Sequence, residues 1–320
     1  MKPASVMSVG VVTPAARAHG SLRPFSIPFG EIVVIAAAGS LAWIVDEHPL
    51  SLLPVAPWHF SWVSFIGVGF GLLWFCRGLR RTPAATRPTI ARRVCFLGGL
   101  ALIYVVVLTE FEYFTQHMFF LNRVQHAVLH HLGPFLIALS WPVDTMARGV
   151  PAPVLRCCRM PLVRRAVGIA RQPVVAFLLF EGLLAFWLIP AVAYRAMLDW
   201  PLYEIMNASM VVDGFLFWFL VLDPRPAPPA PIGFFPRLML AFLVIFPQIG
   251  IGTAIGLVQH DLYPAFALCG RVFQSIGPLA DQEIGGLVIW VPTGMMSALA
   301  SLVIMRRMFI HEDHMKRSLA

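Results

Sequence analysis

"QHAVLHHLGPF", residues 125–135, sets three histidines, His126, His130 and His131, within six positions of an otherwise apolar stretch. It sits inside "HMFFLNRVQHAVLHHLGPFLIALS", residues 117–140, a run long enough to cross a bilayer, for which about 20 mostly apolar residues suffice. Lipid and a packed protein core are both consistent with such a run. The rest of the chain decides between them.

Of the 320 residues, 58% are hydrophobic and only 12% are charged, and the mean hydropathy is +0.77. A soluble protein carries about 25% charged residues, so the deficit excludes an ordinary globular core. The composition predicts an all-α polytopic transmembrane helix bundle. The excess of base, 24 Lys and Arg against 16 Asp and Glu, would suit a nucleic-acid binder if it formed one patch. Here the arginines cluster between apolar segments, as topogenic charge does, so the expected environment is the lipid bilayer and no nucleic acid.

Eight candidate spans follow from the apolar runs: 28–46, 58–79, 92–111, 117–140, 173–193, 203–222, 234–257 and 284–305. Seven remain if two of them merge. The loops test the assignment. Residues 77–93 hold six arginines without an acid, and 141–172 hold six against Asp144. The turn 47–57 has no base, and 258–283 sets Arg271 against Asp261, Asp281 and Glu283. Basic loops thus alternate with neutral or acidic ones, which places both termini on the cytoplasmic side. The expected organisation is a cytoplasmic N-terminal tail (1–27), a transmembrane helical domain (28–305) and a cytoplasmic C-terminal tail (306–320). The N-terminal tail has no continuous apolar core of the signal-peptide kind. The five cysteines, at 76, 95, 157, 158 and 269, form no metal-finger spacing and read as free thiols.

Ionisable side chains within spans cost about 2.5–3.5 kcal/mol each on insertion scales, so each invites a functional explanation. Arg123, the three histidines, Glu181 and Asp213 fall there. At 100° per residue, Asn122, His126 and His130 form one stripe on the fourth span, and His131 points away from it. Imidazoles at i, i+4 suit copper, zinc or iron. The competing reading is neutral histidines bonded to neighbouring helices. Arg123 and Asp213, opposite in sign, read as a structural ion pair. At the outer boundary His117 and Met118 begin one span and His260 ends another, and imidazole with thioether favours Cu(I). Interfacial histidines also occur simply because their polar tips reach water.

The segment Gln125–Pro142 resembles the histidine-rich helix of the CtaG proteins, the caa3-type cytochrome c oxidase assembly factors. With Pro134 and Pro142 aligned, the family's second histidine falls on His126 and its first on Asn122. The four-residue spacing recurs one turn later as His126–His130. Further likenesses are "DGFLFWFLVLDP" (213–224), "LYPAF" (262–266) and "DQEIGGLVIWVPTG" (281–294), the last with Asp281, Gln282 and Trp290. A histidine that often precedes the Gly-aromatic-Trp helix is absent; Asn207 and Met210 occupy that region. The motifs keep the family's order across about residues 25–305.

The resemblance implies a non-enzymatic, multi-pass assembly factor in the bacterial inner (cell) membrane. Its partners would be cytochrome c oxidase subunits and its cargo copper, held transiently. The expected ligands are His126 and His130 deep in the bundle and His117, Met118 and His260 at its outer mouth. Asn122, Arg123, Asp213, Asp281, Gln282 and Trp290 would support them. A metal-free chaperone of oxidase subunits, a b-type cytochrome and a copper transporter are the alternatives. No hydrolase or phosphate-loop motif is present.

Overall fold

The computed structural model describes residues 29–47, 59–268 and 270–319, and these contain helices, turns and loops but no strand. The expected N-terminal tail 1–27, residues 48–57 of the outer turn and Cys269 lie outside the described residues. Helices α1 (Phe29–Glu47), α2 (Trp62–Arg81) and α3 (Ile90–Val107) match the first three expected spans to within a few residues. Each of the latter two starts at a hydroxyl that accepts a first-turn N–H: Ser61 from Ser64 at 3.2 Å, and Thr89 from Arg92 at 3.4 Å. Arg80 and Arg81 close α2, where cations oppose the carbonyl end of the helix dipole.

A short α4 (Phe111–Thr115) precedes the central rod. The rod runs through α5 (Phe119–His126), a π-helical turn (Ala127–Leu132) and α6 (Gly133–Ser140). The expected span 117–140 is therefore helical almost throughout, but not as a regular α-helix. Pro134 accounts for the irregularity, since it has no N–H for the carbonyl of His130 and its ring crowds that carbonyl. The N–H of Gly133 reaches back to the carbonyl of Val128 instead, the longer bond of a π turn.

The basic loop folds into α7 (Val143–Gly149), α8 (Ala152–Cys158) and α9 (Pro161–Ala170). Helix α10 (Pro173–Leu188) follows at a 75° bend from α9. The expected span 173–193 ends early, because Pro190 holds Ile189 extended and a new helix, α11 (Pro190–Leu198), begins there. Helix α12 (Trp200–Val221) is capped by Asp199, and α13 (Phe234–Leu243) and α14 (Ile245–Leu257) share the seventh expected span. After a short α15 (Ala265–Leu268), α16 runs from Pro278 to Leu319, so the expected tail from 306 continues the last span as helix. Within it Pro292 interrupts the backbone ladder, and the Thr293 hydroxyl donates to the Ile289 carbonyl at 2.6 Å.

The central rod, the fourth expected span, is divided by its π turn into shorter segments. Among the described residues α1, α2, α3, α12 and α16, and α13 with α14 taken together, are long and apolar enough to cross a membrane, and the bent α9–α10 pair makes a seventh candidate. Large apolar side chains face outward along them, Trp43, Val174, Ile205, Leu257 and Leu302 among them. That surface is too extensive for water, and the protein is a multi-pass membrane protein.

The rod is the axis of the bundle, touched by α3, α12 and α16. Close approach depends on missing side chains. A Cβ on Gly214 of α12 would lie 2.8 Å from Cγ of Pro134 and still closer to the His130 carbonyl oxygen. One on Gly286 of α16 would meet the backbone of α14 at Gly252 and Gly256. The loops gather at two ends. At one, Arg81 donates to the Arg148 carbonyl at 2.9 Å and Arg307 to the Leu222 carbonyl at 2.6 Å. At the other, Asp281 holds the start of α5, and the His59 ring stacks on Trp200 with centroids 3.6 Å apart.

Candidate functional site

The π turn rearranges the histidine stripe. In a π turn i and i+5 are stacked rather than i and i+4, so His126 and His131 line one cavity together with Arg123 and Ala127 of the rod. Leu184 of α10 and Val288, Ile289 and Thr293 of α16 close it. Its volume is about 10 Å³, room for about one water-sized occupant. His130 turns the other way, and its Nε2 lies 3.1 Å from Oδ2 of Asp213. The expectation that His126 and His130 share a face and His131 does not is corrected by this register shift.

The three histidines are buried, and they are unequally engaged. Asp213 holds His130, and Nδ1 of His130 lies 3.3 Å from Nε2 of His131. The carboxylate thus fixes one ring, and that ring fixes the next. Phe180 stacks on His130 with centroids 4.0 Å apart. Nδ1 of His131 has no partner, and the His126 ring has none in full hydrogen-bond geometry, with the Asn207 side chain of α12 its polar neighbour. Buried polar atoms are rarely left without a partner, and a neutral imidazole has one lone pair to give, so His126 and His131 together offer two nitrogen donors of the kind that suits copper.

Arg123 and Asp213 do not pair, because Asp213 belongs to His130. The Arg123 guanidinium donates to Oδ1 of Asn122 and lies over the Phe119 ring, 5.1 Å from its centroid. Its Nε and Nη1 are buried without a partner, as is Nδ2 of Asn122. Arg123 also lines a second cavity, together with Asn122, Met197, Met206 and Tyr263.

Neighbouring polar groups make a network that sequence reasoning missed. Tyr203 of α12 donates to Gln125 at 2.8 Å and lies 3.1 Å from the Thr115 hydroxyl, while Gln125 donates to the Val106 carbonyl at 2.7 Å. Glu181 accepts from Gln248 at 2.8 Å, which ties α10 to α14. Asn207, buried and with Oδ1 unpartnered, lies where the resemblance led one to look for a histidine. Pro134 was a visible signal of disturbed register around His131, although it did not reveal the form of the disturbance.

The members of the expected outer group differ in surroundings. Nδ1 of His117 lies 2.7 Å from the Tyr113 carbonyl, Met118 is fully buried, and His260 is exposed. Among the described residues no group of three or more His, Cys, Asp or Glu side chains is placed to hold a metal ion. Nearby, burial and then the proximity of Glu204 push the Glu112 carboxyl well above its ordinary 4.5.

The Asp-Gln pair has a structural role. Asp281 accepts from the N–H groups of Phe119 and Phe120 at 2.9 and 2.8 Å and pairs with Arg271 at 2.6 Å. Met118, at the N-cap position, contributes no side-chain bond, so the rod is capped from 162 residues away. Gln282 accepts from Leu262 and donates to the Ile255 carbonyl, at 2.8 and 2.9 Å. Trp290 packs its indole over Gly252, and Gly285 leaves space for the Phe119 ring.

A family model described as cytochrome c oxidase caa3 assembly factor (Caa3_CtaG) matches residues 71–310, which include the rod, Asp213 and the Asp-Gln segment. No curated protein and no solved structure matches the chain.

Proposed function

The chain belongs to the Caa3_CtaG family of cytochrome c oxidase caa3 assembly factors, and from that premise we propose that it passes copper to a haem-copper oxidase through the imidazoles of its central rod. It would act without enzymatic activity, as a multi-pass protein of the bacterial cell membrane with both termini in the cytoplasm. The observation that carries the reading is that His126 and His131 line one cavity in the bundle, with Nδ1 of His131 buried and unpartnered.

Copper is cargo here rather than a resident cofactor. His126 and His131 supply the ligands, and neutral imidazole is the form that binds metal. Asp213 and His130 act through orientation: they hold the His131 ring at Nε2 and leave Nδ1 as its ligating nitrogen, as outer partners commonly do for ligating histidines. Arg123, on the same wall, repels a bound cation. Two ligands beside a fixed positive charge make a weak site, and delivery requires release. His117, Met118 and His260 would serve at most as successive single contacts on the way in.

The test is the copper content of the partner oxidase and of the detergent-purified protein from copper-supplemented cells. With His126→Ala and His131→Ala combined, oxidase copper and protein-bound copper should both fall to background. His130→Gln, which loosens the orienting chain, should weaken copper binding about 10-fold. Oxidase with full copper in cells that hold the double variant at wild-type levels would sink the transfer role.

A metal-free chaperone is the second reading, favoured by the absence among the described residues of any group of three or more metal-binding side chains. It predicts less assembled oxidase in the double variant, but normal copper in each oxidase that forms.

A further inference from the structure

The end of the bundle where the basic loops meet carries a pocket of about 650 Å³ between α1, α2, α7 and α8. Three guanidinium groups line it, Arg77, Arg81 and Arg148. The charge of Arg77 is already met, because both its Nη atoms donate to Glu31, at 2.6 and 2.9 Å. Arg81 spends one N–H on the Arg148 carbonyl. Neither Arg81 nor Arg148 has a carboxylate partner among the described residues. The rest of the wall is apolar: Phe29, Val150, Pro151, Pro153 and Leu155. Phe29, at the first residue of α1, is 81% exposed.

We propose that this pocket binds the headgroup of an anionic phospholipid, with its phosphate on Arg81 and Arg148 and the first part of its acyl chains along Phe29 and Leu155. Two unneutralised arginines beside an apolar wall match a phosphodiester attached to hydrocarbon. The location agrees, since α1 begins and α2 ends at the pocket, which puts it where headgroups meet acyl chains. Arginine suits the ligand because its planar fork of N–H donors matches phosphate oxygens. Basic pockets between transmembrane helices are known to hold anionic headgroups.

Helix α9, part of the same basic loop, attracts anionic lipid differently. None of its residues is buried. Arg164 and Arg165 lie on one arc, and Leu162, Val167 and Ile169 on the other, the pattern of a helix lying in the interface. Its attraction would be diffuse, so it serves as the control for a defined pocket.

The experiment uses the purified full chain in zwitterionic detergent and follows its unfolding temperature against added lipid. Phosphatidylglycerol should raise the midpoint saturably, and phosphatidylcholine with the same chains should not. Arg148→Gln should weaken the phosphatidylglycerol response roughly fivefold, and Arg81→Gln with Arg148→Gln about 25-fold, since each arginine near an anionic surface adds a comparable increment. Arg164→Gln with Arg165→Gln should leave the response within about twofold. An equal response to phosphatidylcholine would overturn the proposal. So would equal losses in the two double variants, which would mean diffuse attraction. Glycerol phosphate matching phosphatidylglycerol would reassign the pocket to a soluble anion and overturn the lipid assignment.

Discussion

Arg123 shows how far a residue's chemistry can be read before its neighbours are known. Its sign, its position inside a span and the opposite sign of Asp213 make an ion pair the economical expectation. The structure gives Asp213 to His130, at 3.1 Å, and leaves Arg123 with Asn122. Residue type sets what a side chain can do, but partner choice depends on which helices adjoin and at what height. Glu112 makes the same point outside the spans. It lies in α4, 1% exposed, with Oε2 unpartnered, and its carboxyl is raised well above 4.5, first by burial and then by Glu204. A carboxyl raised on folding leaves stability intact below its unfolded value and costs stability as pH climbs toward the folded one. Glu112→Gln should therefore unfold like the wild type at pH 4 and become progressively more stable than it as pH rises above 4.5. Thermal midpoints in detergent between pH 4 and pH 8 would check this; a constant difference across that range would contradict it.

Helices tell a different story, because apolar length is visible along the chain and helix ends often are not. Helix starts fall within a few residues of the expected ones where a Ser, Thr or Asp cap or a Pro marks them, as at Ser61, Thr89, Pro173 and Asp199. The rod starts without such a mark. Its first N–H groups are held by Asp281 of α16, which also pairs with Arg271. Asp281→Ala should remove both interactions and leave the Arg271 charge without its partner. Breaking a buried ion pair costs about 3–5 kcal/mol, so a large fall in the thermal midpoint is expected, with Asp281→Asn intermediate. A fall no larger than that for a surface substitution would show that the rod is capped in another way. The likeness in the Asp-Gln-Glu-Ile-Gly-Gly stretch thus reports a joint between two helices rather than a ligand set.

Across the whole molecule, the alternation of loop charge agrees with the contacts at the ends of the bundle. Arg81 reaches the 141–172 loop, and Arg307 reaches the Leu222 carbonyl, so segments expected on the cytoplasmic side do meet. The free thiols offer a test. Cys157 and Cys158 are exposed in α8, and His260 is exposed at the opposite end. With the remaining cysteines replaced, an impermeant thiol reagent should label Cys157 only in inside-out vesicles and a His260→Cys variant only in right-side-out ones. Labelling of both from one side would break the eight-span topology.

The amino-acid order was enough for the membrane class, the approximate spans, the charge alternation and the likeness to the oxidase assembly factors. Each of these rests on properties that add along the chain, namely apolar length, loop charge and motif order, and none needs a contact to be known. Which histidines face one cavity, which group holds Asp213 and what caps the rod were decided only on folding. A one-residue change of register at the π turn rotates every side chain beyond it, and the partners that fix the outcome come from helices 83 to 162 residues away.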